Sequence, residues 1–89
     1  MKYTATKEFW KDLQKIKDKK IKNKLINLLN LLEASENPFD VINLKPLVGY
    51  PNFYRIKLDY HYRIGCFYDG EVLELKRLLT REAIYKKFP

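Results

Sequence analysis

The 89-residue sequence predicts a single α+β domain, in which a helical hairpin packs on one face of a mainly antiparallel sheet of about four strands. Three observations predict this fold. Apolar residues recur at helical spacing in the first third of the chain, they alternate with polar residues between positions 53 and 79, and a tight-turn dipeptide separates two alternating runs. Helices and strands that are segregated along the chain are typical of the α+β class.

The N-terminal part of the sequence predicts a short strand followed by two helices. Residues 1–6 form the strand, and Thr6 is the capping residue of the first helix. The charged block 18–20 interrupts the apolar stripe, and the second helix continues through about Ala34 before Pro38 stops it. The apolar stripe of the first helix consists of Phe9, Leu13 and Ile16.

The charge of the chain is strongly positive. The net charge of +7 indicates a partner that is a nucleic acid, an anionic surface or an acidic protein. Seven lysines lie off or beside the apolar stripes of the hairpin: Lys11, Lys15, Lys17, Lys19, Lys20, Lys22 and Lys24. Two interpretations of these lysines are equally good: they form a solvated helix face, or they attract nucleic acid. The N-terminus carries no apolar stretch of signal or transmembrane length, which predicts a cytoplasmic protein.

The C-terminal part of the sequence predicts a meander of strands and a short helix. Prolines and a glycine between 39 and 51 indicate an irregular segment, with a short extended piece at about 42–44. Asp69 and Gly70 form the dipeptide expected of a tight hairpin turn. Residues 80–88 begin with a capping residue and predict the terminal helix. The strands are predicted at 53–58, 62–68 and 71–79.

Two neighbouring strands are predicted to place three cations on one face of the sheet. Successive side chains of a strand point to opposite faces. If Ile56 and Ile64 are buried, the cations of the same strands emerge together on the other face. These cations are Arg55, Lys57 and Arg63. Because like charges on neighbouring strands repel, the arrangement favours a polyanionic ligand such as a phosphodiester backbone.

The sequence does not favour metal-dependent or serine-based hydrolysis. One histidine, one cysteine and scattered acidic residues offer no metal-ligand spacing, so no cofactor is expected. Ser35, the only serine, lies in no pattern that would use His61 as its base. His61 is more typical of a turn residue, with RNA contact as the alternative. Cys66 lies within an apolar strand pattern and is predicted to be a small core residue.

Metal-free RNA cleavage needs fewer groups. The ribose 2′-OH is the nucleophile, and the protein must deprotonate it, stabilise negative charge and protonate the departing 5′-oxygen. The terminal segment adds Arg81 and Tyr85, which are four residues apart and hence on one face of a helical turn. Neighbouring cations favour a phenolate. This favours a chemical role for Tyr85 over that of an aromatic residue closing the edge of the core.

The sequence resembles the RelE/ParE superfamily of type II toxin–antitoxin toxins over nearly its whole length, and the RelE-like mRNA interferase branch in particular. The landmarks follow the family order: a helical hairpin after a short strand, LVGYPNFY at 47–54, YRIKL at 54–58, YRI at 62–64 and REAIY at 81–85. The resemblance implies ribosome-dependent, metal-free cleavage of mRNA in the A site by 2′-OH attack. It also implies a cognate antitoxin that wraps the toxin, and together with the charge of this chain it predicts that this partner is acidic and partly disordered.

By this resemblance, the expected RNase site consists of Arg55, Lys57, Arg63, Arg81 and Tyr85. Tyr85 is expected to act as general base and Arg81 as general acid or leaving-group stabiliser, with the strand cations as phosphate clamps. The division of roles among the four cations stays open.

Two positions depart from the family pattern. Val48 stands where many relatives carry a basic residue before the glycine, and Gly65 occupies a strand position that usually carries a side chain. Two alternatives remain: a ParE-like inhibitor of DNA gyrase and a catalytically inactive RNA-binding relative. The presence of the full basic-plus-tyrosine set argues against the gyrase inhibitor.

Overall fold

The computed structural model describes residues 1–40 and 43–89, and it confirms the α+β class. In chain order the elements are β1 (Lys2–Ala5), α1 (Lys7–Gln14), α2 (Lys19–Ala34), β2 (Leu44–Pro46), β3 (Phe53–Lys57), β4 (Tyr62–Tyr68), β5 (Val72–Thr80) and α3 (Arg81–Lys87). A single 3-10 turn spans Pro38–Asp40. None of the helices in the described ranges is long and apolar enough to cross a membrane.

One sheet contains five strands in the order β1-β5-β4-β3-β2, where about four were predicted. β1 is parallel to β5, and every other pair is antiparallel. The additional strand is β2, whose three residues pair with β3. Of the extended piece expected at about 42–44, Leu44 begins β2, whereas position 42 lies outside the described residues.

Each helix begins at a side-chain cap, which explains why the predicted helices lie where expected. The Thr6 hydroxyl accepts from the N–H of Phe9 at 3.1 Å, and the Asp18 carboxylate accepts from the N–H of Lys20 at 2.9 Å. Thr80 caps α3 in the same way. A cap satisfies a backbone donor that the first helical turn leaves free, so these residues fix the start of each helix.

The core lies between the two N-terminal helices and one face of the sheet. Its buried members are Phe9, Ile16, Ile21, Leu25, Leu32, Ile56, Ile64, Cys66, Leu73, Leu75 and Leu78. Cys66 is fully buried, and this burial raises the pKa of its thiol to about 12. The thiol is therefore a core group, as predicted. Because α1 and α2 cover one face only, much of the opposite face of β3 and β4, here called the open face, is available for a ligand.

A buried carboxylate ties α1 to β5. β5 pairs with β1 only as far as Leu75. Beyond that point, the Leu78 N–H donates to Asp12 Oδ2 at 2.9 Å. Arg77 adds hydrogen bonds from Nε to Oδ2 at 2.8 Å and from Nη2 to Oδ1 at 3.1 Å. Burial of the carboxyl opposes its ionisation, but these hydrogen bonds and the charges of Arg77 and Lys15 outweigh burial and lower the pKa of Asp12.

The ring of Phe88 rests on the backbone of Gly65 on the open face. A Cβ placed on Gly65 would lie 2.6–2.7 Å from three carbons of this ring. Phe53 extends the cluster, with its ring centroid 5.6 Å from that of Phe88 and 4.9 Å from that of Phe67. A glycine at position 65 therefore has a structural cause: the ring of Phe88, at the end of α3, occupies the space that a side chain would need.

We expect Gly65→Ala to destabilise the fold by about 1–3 kcal/mol, because the added methyl group must displace the Phe88 ring from a packed contact. Urea denaturation followed by circular dichroism measures the change. Phe88→Leu supplies the control, since removing the ring removes the obstacle. Gly65→Ala should cost less in the Phe88→Leu background than alone, and an equal cost in both backgrounds would contradict the proposed clash.

Asp12 predicts a specific pH dependence of stability. Its pKa is depressed in the fold, so its contribution is complete above the ordinary value of 3.8 and is lost as the pH falls below it toward the folded pKa. Asp12→Asn should therefore lower the free energy of unfolding at neutral pH by about 1–3 kcal/mol, and should flatten the loss of stability in acid.

Urea denaturation across the acid range compares Asp12→Asn with Glu74→Gln. Glu74 forms an ion pair with Lys76 at 3.0 Å on the same strand, and both side chains are more than a third exposed. Exposed pairs of this kind contribute about 0–1 kcal/mol, so this control should stay close to the parent. If Asp12→Asn were as stable as the parent at neutral pH, the carboxylate would not be the tie between α1 and β5.

Candidate functional site

The strand register places the three predicted cations on the open face. Lys57 is directly opposite Arg63, and Arg55 is opposite Gly65. The intervening pair, Ile56 and Ile64, is fully buried on the other face. Side chains of directly opposed residues lie close together, so Lys57 and Arg63 concentrate positive charge at one end of this face.

The guanidinium of Arg63 is engaged by the turn between β3 and β4. Its Nη1 donates to the carbonyl oxygens of Asp59, Tyr60 at 3.3 Å and Tyr62 at 3.1 Å. The Asp59 carboxylate shapes this turn by accepting from the N–H groups of His61 and Tyr62 at 2.9 and 2.7 Å. All three contacts are made by Nη1, so within the described residues the N–H groups of Nε and Nη2 remain to bind a phosphate.

Arg81 begins α3 and lies beside the same turn. Its N–H donates to the carbonyl of His61 at 2.8 Å, and its guanidinium lies 4.9 Å from the centroid of the Tyr60 ring. His61 contacts the Tyr60 ring edge-on. The cavity here measures about 280 Å³ and is lined by Tyr60, His61, Thr80, Arg81 and Glu82. His61 is an exposed residue in the connection between strands, as predicted.

Tyr85 lies in a different cavity from Arg81. Its ring is 61% exposed, and the edge of the core near α3 is closed instead by Ile84 and Phe88. The cavity beside it measures about 450 Å³ and is lined by Lys45, Pro46, Leu47, Val48, Tyr50, Arg55, Tyr85 and Phe88. This space, here called the loop–helix cleft, brings Tyr85 together with Arg55 and does not include Arg81.

Three residues near these cavities were not predicted from the sequence to belong to the site. Lys45 pairs with Arg55 across β2 and β3, and Tyr50 lines the loop–helix cleft. Tyr60 holds Arg81. The signal for Lys45 is weak, since a three-residue strand beside a proline shows little alternation. Tyr60 adjoins the only histidine in a strand connection, a place where functional residues concentrate.

The chemistry available at the site is that of cations and phenols. Within residues 1–40 and 43–89, no three side chains of His, Cys, Asp or Glu lie together in a way that could hold a metal ion. The described residues lining the loop–helix cleft include two cations, Lys45 and Arg55, and no carboxylate. Such a surface can bind phosphate and can offer a phenol oxygen for proton transfer.

Known proteins resemble the whole chain. It is 32% identical over 90 residues to toxin RelE3 of Methanocaldococcus jannaschii, and the alignment covers all of both chains. The RelB–RelE antitoxin–toxin complex from Methanococcus jannaschii superposes with a TM-score of 0.81 at 29% identity, covering 97% of this chain and 99% of that one. YafQ from Escherichia coli strain BL21(DE3) shares the fold, with a TM-score of 0.74 at 20% identity over 93% and 96% of the two chains.

No family model matches the sequence. The assignment therefore rests on the full-length identity to a RelE toxin and on the common architecture. Both agree with the motifs of the sequence: the basic residues of two adjacent strands stand on the open face, and a short helix carries Arg81 and Tyr85 beside it. On this evidence, the chain belongs to the RelE family of type II toxin–antitoxin toxins.

Proposed function

We propose that this toxin is a ribosome-dependent endoribonuclease that cleaves mRNA in the A site by 2′-OH attack, without a metal ion. The observation that carries the proposal is the loop–helix cleft, in which the exposed phenol of Tyr85 meets Arg55 beside the opposed pair Lys57 and Arg63. The cations offer charge for a phosphate, and the phenol offers an atom for proton transfer. Full-length similarity to a RelE toxin supports the same activity.

The proposed reaction needs two proton transfers. Tyr85, acting as the phenolate, takes the proton of the 2′-OH, whose oxygen bonds to phosphorus while the bond from phosphorus to the 5′-oxygen breaks. Arg81 acts at the departing 5′-oxygen, either by donating the proton that this oxygen takes up or by stabilising its charge until water protonates it. The products are a 2′,3′-cyclic phosphate and a free 5′-hydroxyl. Arg55, Lys57 and Arg63 stabilise the extra negative charge on phosphorus as it develops.

The placement of two of the cations supports the proposed dependence on the ribosome. Nη1 of Arg63 contacts carbonyls of the turn, Arg81 contacts the ring of Tyr60, and neither residue lines the loop–helix cleft with Tyr85. A substrate has to draw both cations toward its phosphate. An mRNA held in one geometry by the ribosome offers that phosphate in a fixed place, whereas a free and flexible RNA pays an additional ordering cost.

The proposed inhibitor of this toxin is an acidic, partly disordered antitoxin that folds over it. The net charge of +7 supports such a partner, because opposite charge speeds association and suppresses wrong partners. The structural relatives include RelB–RelE and DinJ–YafQ complexes. In the complex, the antitoxin should cover the opposed pair Lys57 and Arg63 and thereby keep RNA from the open face.

A catalytically inactive RNA-binding protein is the second candidate, and one observation favours it: Arg81 and Tyr85 do not share a cavity.

Primer extension on translated mRNA after induction separates the candidates when combined with a plasmid supercoiling assay. Cuts within A-site codons with unchanged supercoiling are expected. Growth arrest without cuts would overturn the proposed RNase, and altered supercoiling would point to gyrase instead.

Tyr85→Phe should slow A-site cleavage by about 100-fold or more, since it deletes the proton-accepting oxygen and keeps the ring. The ring is 61% exposed, so stability should stay near that of the parent. Single-turnover cleavage with saturating ribosomes measures the rate, and unfolding by urea checks the fold. A parental cleavage rate would show that the phenol is not the base, and His61 or a cation of the site would have to replace it.

Arg63→Ala should reduce cleavage by about 100-fold or more through the loss of a cation at the developing charge. Lys2→Ala is the matched control, because it removes one exposed positive charge from the edge strand β1, which β5 separates from β4. Growth arrest after induction, at equal protein levels, compares the two. Toxicity that survives Arg63→Ala would remove Arg63 from the site, and an equal loss in Lys2→Ala would attribute the effect to net charge.

A further inference from the structure

The loop–helix cleft holds a second phenol that the proposed chemistry does not use. Tyr50 is 53% exposed and lines this cleft together with Tyr85. Aromatic rings elsewhere pair edge-on, as in the clusters around Phe39 and Phe53. Among the described residues, neither Tyr50 nor Tyr85 has such a pairing. Two half-exposed rings therefore line one cavity without pairing with another described ring.

The loop that carries Tyr50 is tied down by backbone hydrogen bonds. The Leu47 N–H donates to the Phe53 carbonyl at 2.9 Å, which closes the loop at its base. The Tyr50 N–H donates to the carbonyl of Leu47 at 3.3 Å, and its own carbonyl accepts from the Phe53 N–H at 3.2 Å. Gly49 has a φ of +85°, which permits the turn that the hydrogen bond between Tyr50 and Leu47 closes. Tyr50 is therefore presented on a formed loop, which reduces the ordering cost of binding.

Cations complete the cleft on the side of the sheet. Lys45 and Arg55 are directly paired across β2 and β3, and both line the cavity. A flat aromatic surface beside paired cations matches the two parts of a nucleotide in a single strand, a base with a π-face and a phosphate. The cavity volume of about 450 Å³ falls in the range of small-ligand sites.

We propose that the loop–helix cleft binds one unstacked nucleobase of single-stranded RNA, with Tyr50 as the stacking surface and Lys45 on the adjoining phosphate. The inference rests on the proposed function in taking RNA as the ligand, and it adds a binding subsite beside the reacting phosphate. A segment of a protein partner is the competing occupant. The two cations and the absence of a described carboxylate in the lining favour an anionic occupant, and the two tyrosine rings favour a nucleobase with its phosphate over the carboxylates of an acidic peptide.

Direct binding tests the subsite without requiring cleavage. The probe is a fluorescent single-stranded oligonucleotide whose 2′-O-methyl groups prevent 2′-OH attack, and anisotropy is measured over a range of salt concentrations. Tyr50→Ala should weaken binding by about 5- to 150-fold with an unchanged salt slope, because stacking releases no counterion. Tyr50→Phe keeps the π-face and should bind as the parent does.

Lys45→Gln gives the complementary signature. Loss of one phosphate contact on a single strand should reduce the slope of log affinity against log salt by about 0.7. Phe39→Ala is the matched control for Tyr50→Ala: Phe39 is 56% exposed, and it packs on Tyr54 and Tyr68, which alternate with the open-face residues of their strands. Its RNA affinity should equal that of the parent.

The outcomes separate this proposal from the proposed function. Equal RNA binding by Tyr50→Ala and the parent, or no binding by the parent, overturns the subsite. Tyr50→Ala that binds RNA normally but loses its antitoxin assigns the cleft to the protein partner and also overturns it. RNA binding with the expected pattern but without A-site cleavage by the parent leaves the subsite standing and rejects the RNase. If the parent cleaves A-site mRNA and Tyr50→Ala cleaves it with equal efficiency, the RNase stands and the subsite is rejected.

Discussion

The contact between the Phe88 ring and the Gly65 backbone is the constraint on which the site depends. Helix α3 has seven residues and is too short to be stable by itself, so its position is set by what it packs against. Buried Ile84 and Phe88 provide that packing, and the absence of a Cβ at Gly65 lets the ring reach the sheet. The helix is thereby held beside β3 and β4, with Tyr85 turned into the cleft that Arg55 lines.

The main core lies on the opposite face of the sheet, which leaves part of the open face free to carry charge. Asp12 holds α1 on β5, while Ile56 and Ile64 fill the core below the cations. Opposed cations such as Lys57 and Arg63 repel each other. The turn carbonyls that bind Arg63 reduce this cost in the free protein, because they place negative partial charges around its guanidinium.

Local patterns predicted most of the fold, whereas contacts between distant segments decided the rest. Alternation with a period of two was enough to put Arg55 on the face opposite Ile56, and the capping residues marked where the helices begin. Of the strand at 44–46, the sequence predicted only an extended piece that reached Leu44, because Pro46 obscures the pattern and the pairing with β3 defines the strand. Without that strand, Lys45 and Tyr50 could not be placed beside Arg55. Spacing likewise put Arg81 one turn from Tyr85, but it carried no information about the ring of Tyr60.

The contacts of Arg63 and Arg81 in the free protein are weaker than those that a phosphate would offer. A cation–π contact at an exposed site is worth about 0.5–1 kcal/mol, and neutral carbonyls are weaker partners than anionic oxygens. Tyr60 is 64% exposed, so the contact with Arg81 is of this weak kind. A phosphate placed on the open face offers charged acceptors, and the extra negative charge of the transition state offers still more. In the proposed reaction, the same two arginines would therefore gain most as the substrate reacts, which is the condition for an interaction to accelerate a reaction rather than only to tighten binding.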